Sequence, residues 1–170
     1  MKHASRVSDA ALRALSRRVG QRLRSARLSI AIAESCTGGM IAKALTDIAG
    51  SSDYFERGWV TYSNAAKRAE LGVAPGVLAR HGAVSEAAAL AMAAGALRRS
   101  RARVSIAATG IAGPGGATAS KPVGLVWIAW GLRRRGGLQL FARPFRFRGG
   151  RDAVRRQAVA AALEGLPGAP

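Results

Sequence analysis

The chain has 170 residues, 49% of them apolar, enough for one α/β domain (core about 8–165) with a proper interior. Twenty-seven Lys and Arg against nine Asp and Glu leave a formal charge of +18, which attracts anions of every kind. No apolar run approaches the roughly 18 residues of a membrane helix, the basic start Met1 to Val19 lacks a signal core, and a lone cysteine, Cys36, excludes an internal disulfide or a thiolate metal cluster, so a cytoplasmic protein without a membrane partner is expected.

In chain order, Ser8 to Arg27 reads as an amphipathic helix with Ala11, Leu12, Leu15, Val19 and Leu23 on one face. Leu28 to Ala33 is a short buried strand, and it runs into the turn Glu34-Ser35-Cys36-Thr37-Gly38 before a helix over Gly39 to Ile48. Gly50 to Asp53 is a turn. Phe55 to Tyr62 is a second strand, and Asn64, a candidate N-cap, opens a helix to Leu71. Ser85 caps an alanine-rich helix over Glu86 to Arg99, and Val104 to Ala108 is a third strand. It ends in Thr109-Gly110-Ile111-Ala112-Gly113-Pro114-Gly115-Gly116, too rich in glycine for regular structure. Pro122 to Trp130 and Leu138 to Phe147 form a hairpin across Arg133 to Gly137. Asp152 to Leu163 is a last helix, followed by a frayed tail from Gly165 to Pro170. Helices alternating with strands, then a hairpin, predict a three-layer α/β/α sandwich on a mixed, mostly parallel sheet.

The strand, tight turn and helix around Ser35 lift a hydroxyl to the end of a sheet and aim backbone N–H groups at whatever binds there. Ser35 is therefore either a nucleophile or a helix N-cap, and Cys36 either its rival or a small buried apolar group. Histidine is nearly absent: His3 is terminal and His81 falls in a surface turn. No His, Asp and Glu spacing resembles a metal site, so neither a metal nor another cofactor is expected. What remains is a serine activated by something other than histidine. Lysine occurs four times, at Lys2, Lys43, Lys67 and Lys121, in a chain that otherwise uses Arg, and unlike Arg it can lose its proton when desolvated. Lys67 lies about one turn into the helix after Tyr62, so both can face one pocket; a solvated helix lysine is the alternative. Ser52 offers a second hydroxyl. Thr109 ends a strand where open α/β sheets bind ligands.

With Ala33 to Gly39, Gly50 to Phe55, Val60 to Asn64 with Lys67, His81 to Ser85, Thr109 to Gly116 and Lys121 to Gly124 in this order, the chain resembles the CinA C-terminal domain family, the nicotinamide-nucleotide amidohydrolases or PncC. The resemblance runs from about Leu12 to Leu163 and is to the stand-alone form. It departs at Gly149-Gly150-Arg151-Asp152, where many relatives carry Gly-Asp-Arg. It implies metal-free deamidation of nicotinamide mononucleotide to nicotinate mononucleotide and ammonia, in pyridine nucleotide salvage. By the same resemblance Ser35 is the nucleophile, Lys67 its base, and Tyr62 and Ser52 aid proton transfer. Substrate contacts would come from Glu34, Thr37, Gly38, Gly39, Thr109, Gly110 and Gly113, with Arg148 or Arg151 on the phosphate.

The rival expectation is a non-catalytic nucleotide- or DNA-binding module, invited by the charge. Against it, the arginines are scattered along the chain and aromatics able to stack on bases are scarce. Trp127, Trp130 and Phe141 on the hairpin offer an interface for a homo-oligomer.

Overall fold

The computed structural model describes residues 7–167, so His3, Lys2 and the end of the tail lie outside the described residues. Ser8 caps helix α1 (Asp9–Ser25) by accepting from the Ala11 N–H at 3.1 Å, and Leu12, Leu15, Val19 and Leu23 turn inward. Strand β1 (Ile30–Glu34) is buried on both faces, as its unbroken apolar run requires. Helix α2 (Met40–Thr46) leads through a 3₁₀ turn, Ser51–Asp53, to β2 (Phe55–Val60). Helices α3 (Asn64–Leu71), α4 (Pro75–His81) and α5 (Glu86–Arg98) precede β3 (Val104–Gly110). A hairpin of β4 (Leu125–Arg134) and β5 (Gly137–Arg146) and helix α6 (Arg151–Glu164) complete the chain.

The strands lie in the order β2-β1-β3-β4-β5. β1 pairs parallel with β2 and β3, and β4 pairs antiparallel with β3 and β5, so four of the five strands point the same way. Helices α1, α2 and α6 cover one face, where Ile32, Ile106, Ile128 and Trp130 meet Val19, Ile41 and Val159. α5, flanked by α3 and α4, covers the other over Ala31, Ala107 and Ala129. The three-layer sandwich is as expected.

Several local expectations are corrected. The cap of α3 is Ser63, which accepts from the Ala66 N–H at 3.0 Å, and Asn64 is the first helical residue. Helix α4 was not anticipated: Pro75 starts it at the one position where a missing N–H costs nothing, and exposed His81 is its last residue rather than a turn residue. The hairpin strands run closer together than expected, around Arg135 and Gly136, and Pro122 to Gly124 form a turn ahead of β4. Trp130 is buried, donates its indole N–H to the Ala162 carbonyl at 2.8 Å and stacks on the partly buried Phe141, so its indole is core. The tail starts packed: Leu166 is buried and its carbonyl accepts from Arg22.

Candidate active site

The carboxyl ends of β1, β2 and β3 hold the site. The Ser35 N–H donates to the Ala108 carbonyl at 2.9 Å and the Thr61 N–H to the Glu34 carbonyl at 2.8 Å, which ties the turn after β1 to both neighbouring strands. Lys67 enters from the first turn of α3, buried to 1% exposure. Its Nζ lies 3.0 Å from Ser35 Oγ, 2.8 Å from the Thr61 carbonyl and 3.4 Å from the Tyr62 carbonyl. Within the described residues no carboxylate pairs with it, and burial lowers its pKa below the ordinary lysine value. Ser35 Oγ and Lys67 Nζ are thus a buried hydroxyl and an amine biased toward its neutral form, at hydrogen-bond distance.

They open into a cavity of about 240 Å³ whose walls include Tyr62, Ala83, Val84, Thr109, Gly110, Ile111, Gly113 and Arg151. A wider cleft of about 370 Å³ lies beside α1, between Arg13, Arg17 and Tyr54, and carries no comparable nucleophile. Thr109 is a wall residue whose hydroxyl is already spent on the Ala83 carbonyl at 2.8 Å. Gly110 admits no side chain, because a Cβ there would stand 2.6 Å from the Leu125 carbonyl oxygen. Arg151, the first residue of α6, spans the opening: Nη1 donates to the Gly113 carbonyl at 2.8 Å and Nη2 to the Tyr62 hydroxyl at 2.7 Å. Both acceptors are neutral, so the cation keeps its charge free for an anion.

Several expected roles change. Glu34 is buried to 1% exposure and does not face the cavity: its carboxylate accepts from the N–H groups of Gly39, Ile41 and Ala42 at 3.0, 3.1 and 2.9 Å. It occupies the N-terminus of α2, where a negative charge is favoured. Thr37, Gly38 and Gly39 are likewise absent from the cavity wall. Gly38 donates its N–H to the Ser35 carbonyl at 3.0 Å, and Gly39 holds a left-handed φ of 92° that lets its N–H reach Glu34. Ser52 is exposed on the 3₁₀ turn before β2, at the amino end of the strands and so at the opposite end of the sheet from Ser35. Tyr62 meets Lys67 through its carbonyl, while its exposed ring turns to Arg151, which rules out a phenolic relay in this arrangement. Arg148 is exposed and lies outside the wall, of which Arg151 is a part.

Cys36 lines the cavity but is an inert neighbour: burial pushes its thiol up to about 11. The N–H groups of Cys36, Gly113, Gly115 and Gly116, all on cavity residues, find no acceptor among the described residues. Two residues were missed from sequence. Thr61 supplies the carbonyl nearest the amine, a backbone role no side-chain pattern reveals. Arg155 donates to the Thr37 carbonyl at 2.9 Å and braces the turn from behind; its place one helical turn after Arg151 was the available signal. No group of three or more His, Cys, Asp or Glu that could hold a metal occurs among the described residues.

Fold and site together define an α/β/α protein with a buried serine–lysine pair at the carboxyl end of its parallel strands. The chain belongs to the CinA C-terminal domain family, whose model matches residues 12–169. It is 51% identical over 94% of its length to the nicotinamide-nucleotide amidohydrolase PncC of Escherichia coli K12, covering 95% of that protein. It is 49% identical to the PncC of Pseudomonas putida, over 89% of this chain and 92% of that one. Among solved structures it is similar to the competence/damage inducible protein CihA of Agrobacterium tumefaciens, with a TM-score of 0.86, 49% identity, and 92% and 93% of the two chains covered.

Proposed function

We propose that this chain is an amidohydrolase that converts nicotinamide mononucleotide to nicotinate mononucleotide and ammonia through Ser35 and Lys67. The observation that carries the reading is the 3.0 Å approach of a buried, unpaired Lys67 amine to Ser35 Oγ beside a cavity. Relatives about half identical over nearly the full chain, named for this activity, support the substrate.

A carboxamide is a poor electrophile, so the serine must be deprotonated as it attacks and the oxyanion must be held. Neutral Lys67 accepts the Ser35 proton while Oγ bonds to the carboxamide carbon. The resulting oxyanion is received by backbone N–H groups, for which Cys36, next to the nucleophile, and the Gly113 to Gly116 loop are the available donors. One such donor is worth about 3 kcal/mol in the transition state. Lys67 then returns the proton to the leaving nitrogen, ammonia departs, and an acyl-serine ester remains. Water attacks the ester, giving its proton to Lys67, which passes it back to Ser35 as the carboxylate product leaves. Arg151, with its charge uncompensated, is suited to the substrate phosphate.

The test is ammonia release from nicotinamide mononucleotide by metal-stripped protein, with nicotinamide and NAD as comparison substrates. Ser35→Ala should abolish release while unfolding at the same temperature as the parent. Full activity in Ser35→Ala removes Ser35 from the nucleophile's place.

A further inference from the structure

The cavity accounts for only a small part of the charge of this chain. We propose that the opposite end of the sheet, where the parallel strands begin, is a docking surface for the phosphodiester backbone of duplex nucleic acid. The arginines look scattered in sequence because the topology returns to this end again and again. α1 ends there with Arg24 and Arg27, α5 with Arg98 and Arg99, the loop into β3 carries Arg101 and Arg103, and β4 ends there with Arg134 and Arg135. All eight are exposed.

Backbone and side-chain hydrogen bonds tie together several of the segments that carry them. Arg57 of β2 donates to the Arg99 carbonyl, the Arg103 N–H donates to Ser29 ahead of β1, and the Arg133 N–H donates to the Arg103 carbonyl. The Arg133 guanidinium in turn binds the Ala102 and Ser100 carbonyls, which pins the hairpin to the α5–β3 loop. Crossing the sheet from β2 to β5 takes four inter-strand steps, or about 19 Å. Duplex DNA presents a charge roughly every 1.7 Å of its axis, so several phosphates fall within that reach.

Little acid neutralises the ribbon. Asp53 pairs with Arg24 at 3.2 Å and Glu56 lies 3.9 Å from Arg57, while Arg101, Arg134 and Arg135 have no ion pair or side-chain hydrogen bond among the described residues. The occupant follows from what else is present. The exposed large apolar residues, Val60, Tyr62 and Val123, all sit at the cavity end, so nothing here would enter a lipid surface. The nearest indole, Trp59, is half-buried beneath the Arg57 guanidinium, which leaves no open ring for stacking an unpaired base. A surface of guanidinium forks without an aromatic platform or an apolar wedge matches the duplex backbone.

The experiment is fluorescence anisotropy of a labelled DNA duplex titrated with the full chain between about 50 and 200 mM salt. Binding should weaken linearly on a log–log plot. The triple variant Arg101→Ser, Arg134→Ser, Arg135→Ser, whose side chains anchor nothing in the fold, should flatten the slope by about 2 to 3, near 0.9 for each lost contact. The variant Arg13→Ser, Arg17→Ser, Arg18→Ser, with the same change in net charge on the middle of α1, should keep the parental slope. Circular dichroism establishes that both are folded. Absence of duplex binding at the low-salt limit overturns the proposal. So does equal flattening by both triples, which would mean charge spread over the whole surface. Tighter binding to anionic phosphatidylglycerol vesicles than to the duplex, at equal phosphate, also overturns it.

Discussion

Replacing Lys67 by Met separates the two things its burial does. In its proposed role as base for Ser35 it would contribute what a positioned proton acceptor typically contributes, a factor of about 10² to 10⁴, or roughly 3–5 kcal/mol of barrier. As a buried amine without a counter-charge it costs stability, about 1.4 kcal/mol for each unit by which its pKa is lowered. Met fills a similar volume and removes that cost, but it leaves the buried Thr61 carbonyl without its donor, a loss of about 1–3 kcal/mol. The two terms act in opposite directions, so Lys67→Met should stay folded near neutral pH while losing at least 100-fold in kcat/KM.

The pH dependence carries the sharper signature. Because the folded value of Lys67 lies below the unfolded one, the unfolded chain holds the extra proton between them. Parental stability relative to Lys67→Met therefore rises with pH from the depressed folded value up to about 10.4 and is flat outside that window. Cys36 and Tyr54, whose burial raises their values, tilt both proteins the other way at high pH, and the difference between the two urea-denaturation series removes their contribution. Lys67→Arg, which keeps length and donors but cannot deprotonate, should be as inactive as Lys67→Met. A flat difference curve, or a Lys67→Met enzyme with more than a tenth of parental activity, would refute a neutral amine as the base.

Glu34→Gln should lower stability by about 2–3 kcal/mol, read as a shift in the urea midpoint, because its amide NH₂ must face at least one of the three N–H donors of α2; an unchanged midpoint defeats that account. Cys36→Ala should keep ammonia release, and the native thiol, held near 11, should react with iodoacetamide at pH 8 at about a thousandth of the fully ionised rate. A loss of activity equal to that of Ser35→Ala would make Cys36 the nucleophile instead. Arg151→Ala should raise KM for the mononucleotide about 10- to 150-fold with little change in kcat, and leave the unphosphorylated nucleoside unaffected; equal losses on both substrates would mean that Arg151 only shapes the loop.

The fold was legible because each layer is written in local pattern. The helix stripe of α1 and the unbroken apolar runs of β1 and β4 each report how the element is buried. Helix α4 was invisible because Pro75 and Gly76 also spell a turn, and seven residues hold too little periodicity to outweigh them. At the site, Ser35 and Lys67 were legible as residue types suited to one chemistry at the ends of adjacent elements. The assignments that failed share a cause. Glu34, Thr37, Gly38, Gly39 and Ser52 sit in motifs together with the reactive residues, and sequence adjacency does not say which members face the cavity and which face the backbone. Ser52 shows the extreme case: a parallel crossover through α2 carries it the full length of a strand away from Ser35.

Glu34 also bears on where the proposed site would receive an anion. A free helix N-terminus beside a nucleophile would draw a phosphate toward the serine and crowd the amide. With a resident carboxylate already satisfying three α2 donors, that end of the helix offers an incoming anion only repulsion. The uncompensated charge at the cavity is Arg151, on a different helix and at the mouth rather than the floor. In the proposed reading a phosphorylated substrate lies with its anion outward at Arg151 and its uncharged amide inward at Ser35. The same separation keeps Lys67 without a facing carboxylate among the described residues, so burial dominates its proton affinity. Under that reading, capping α2 internally and placing the free cation on α6 are one electrostatic arrangement, and adding an acid near Lys67, for example Thr61→Asp, should raise the lysine pKa and shift the activity profile to higher pH.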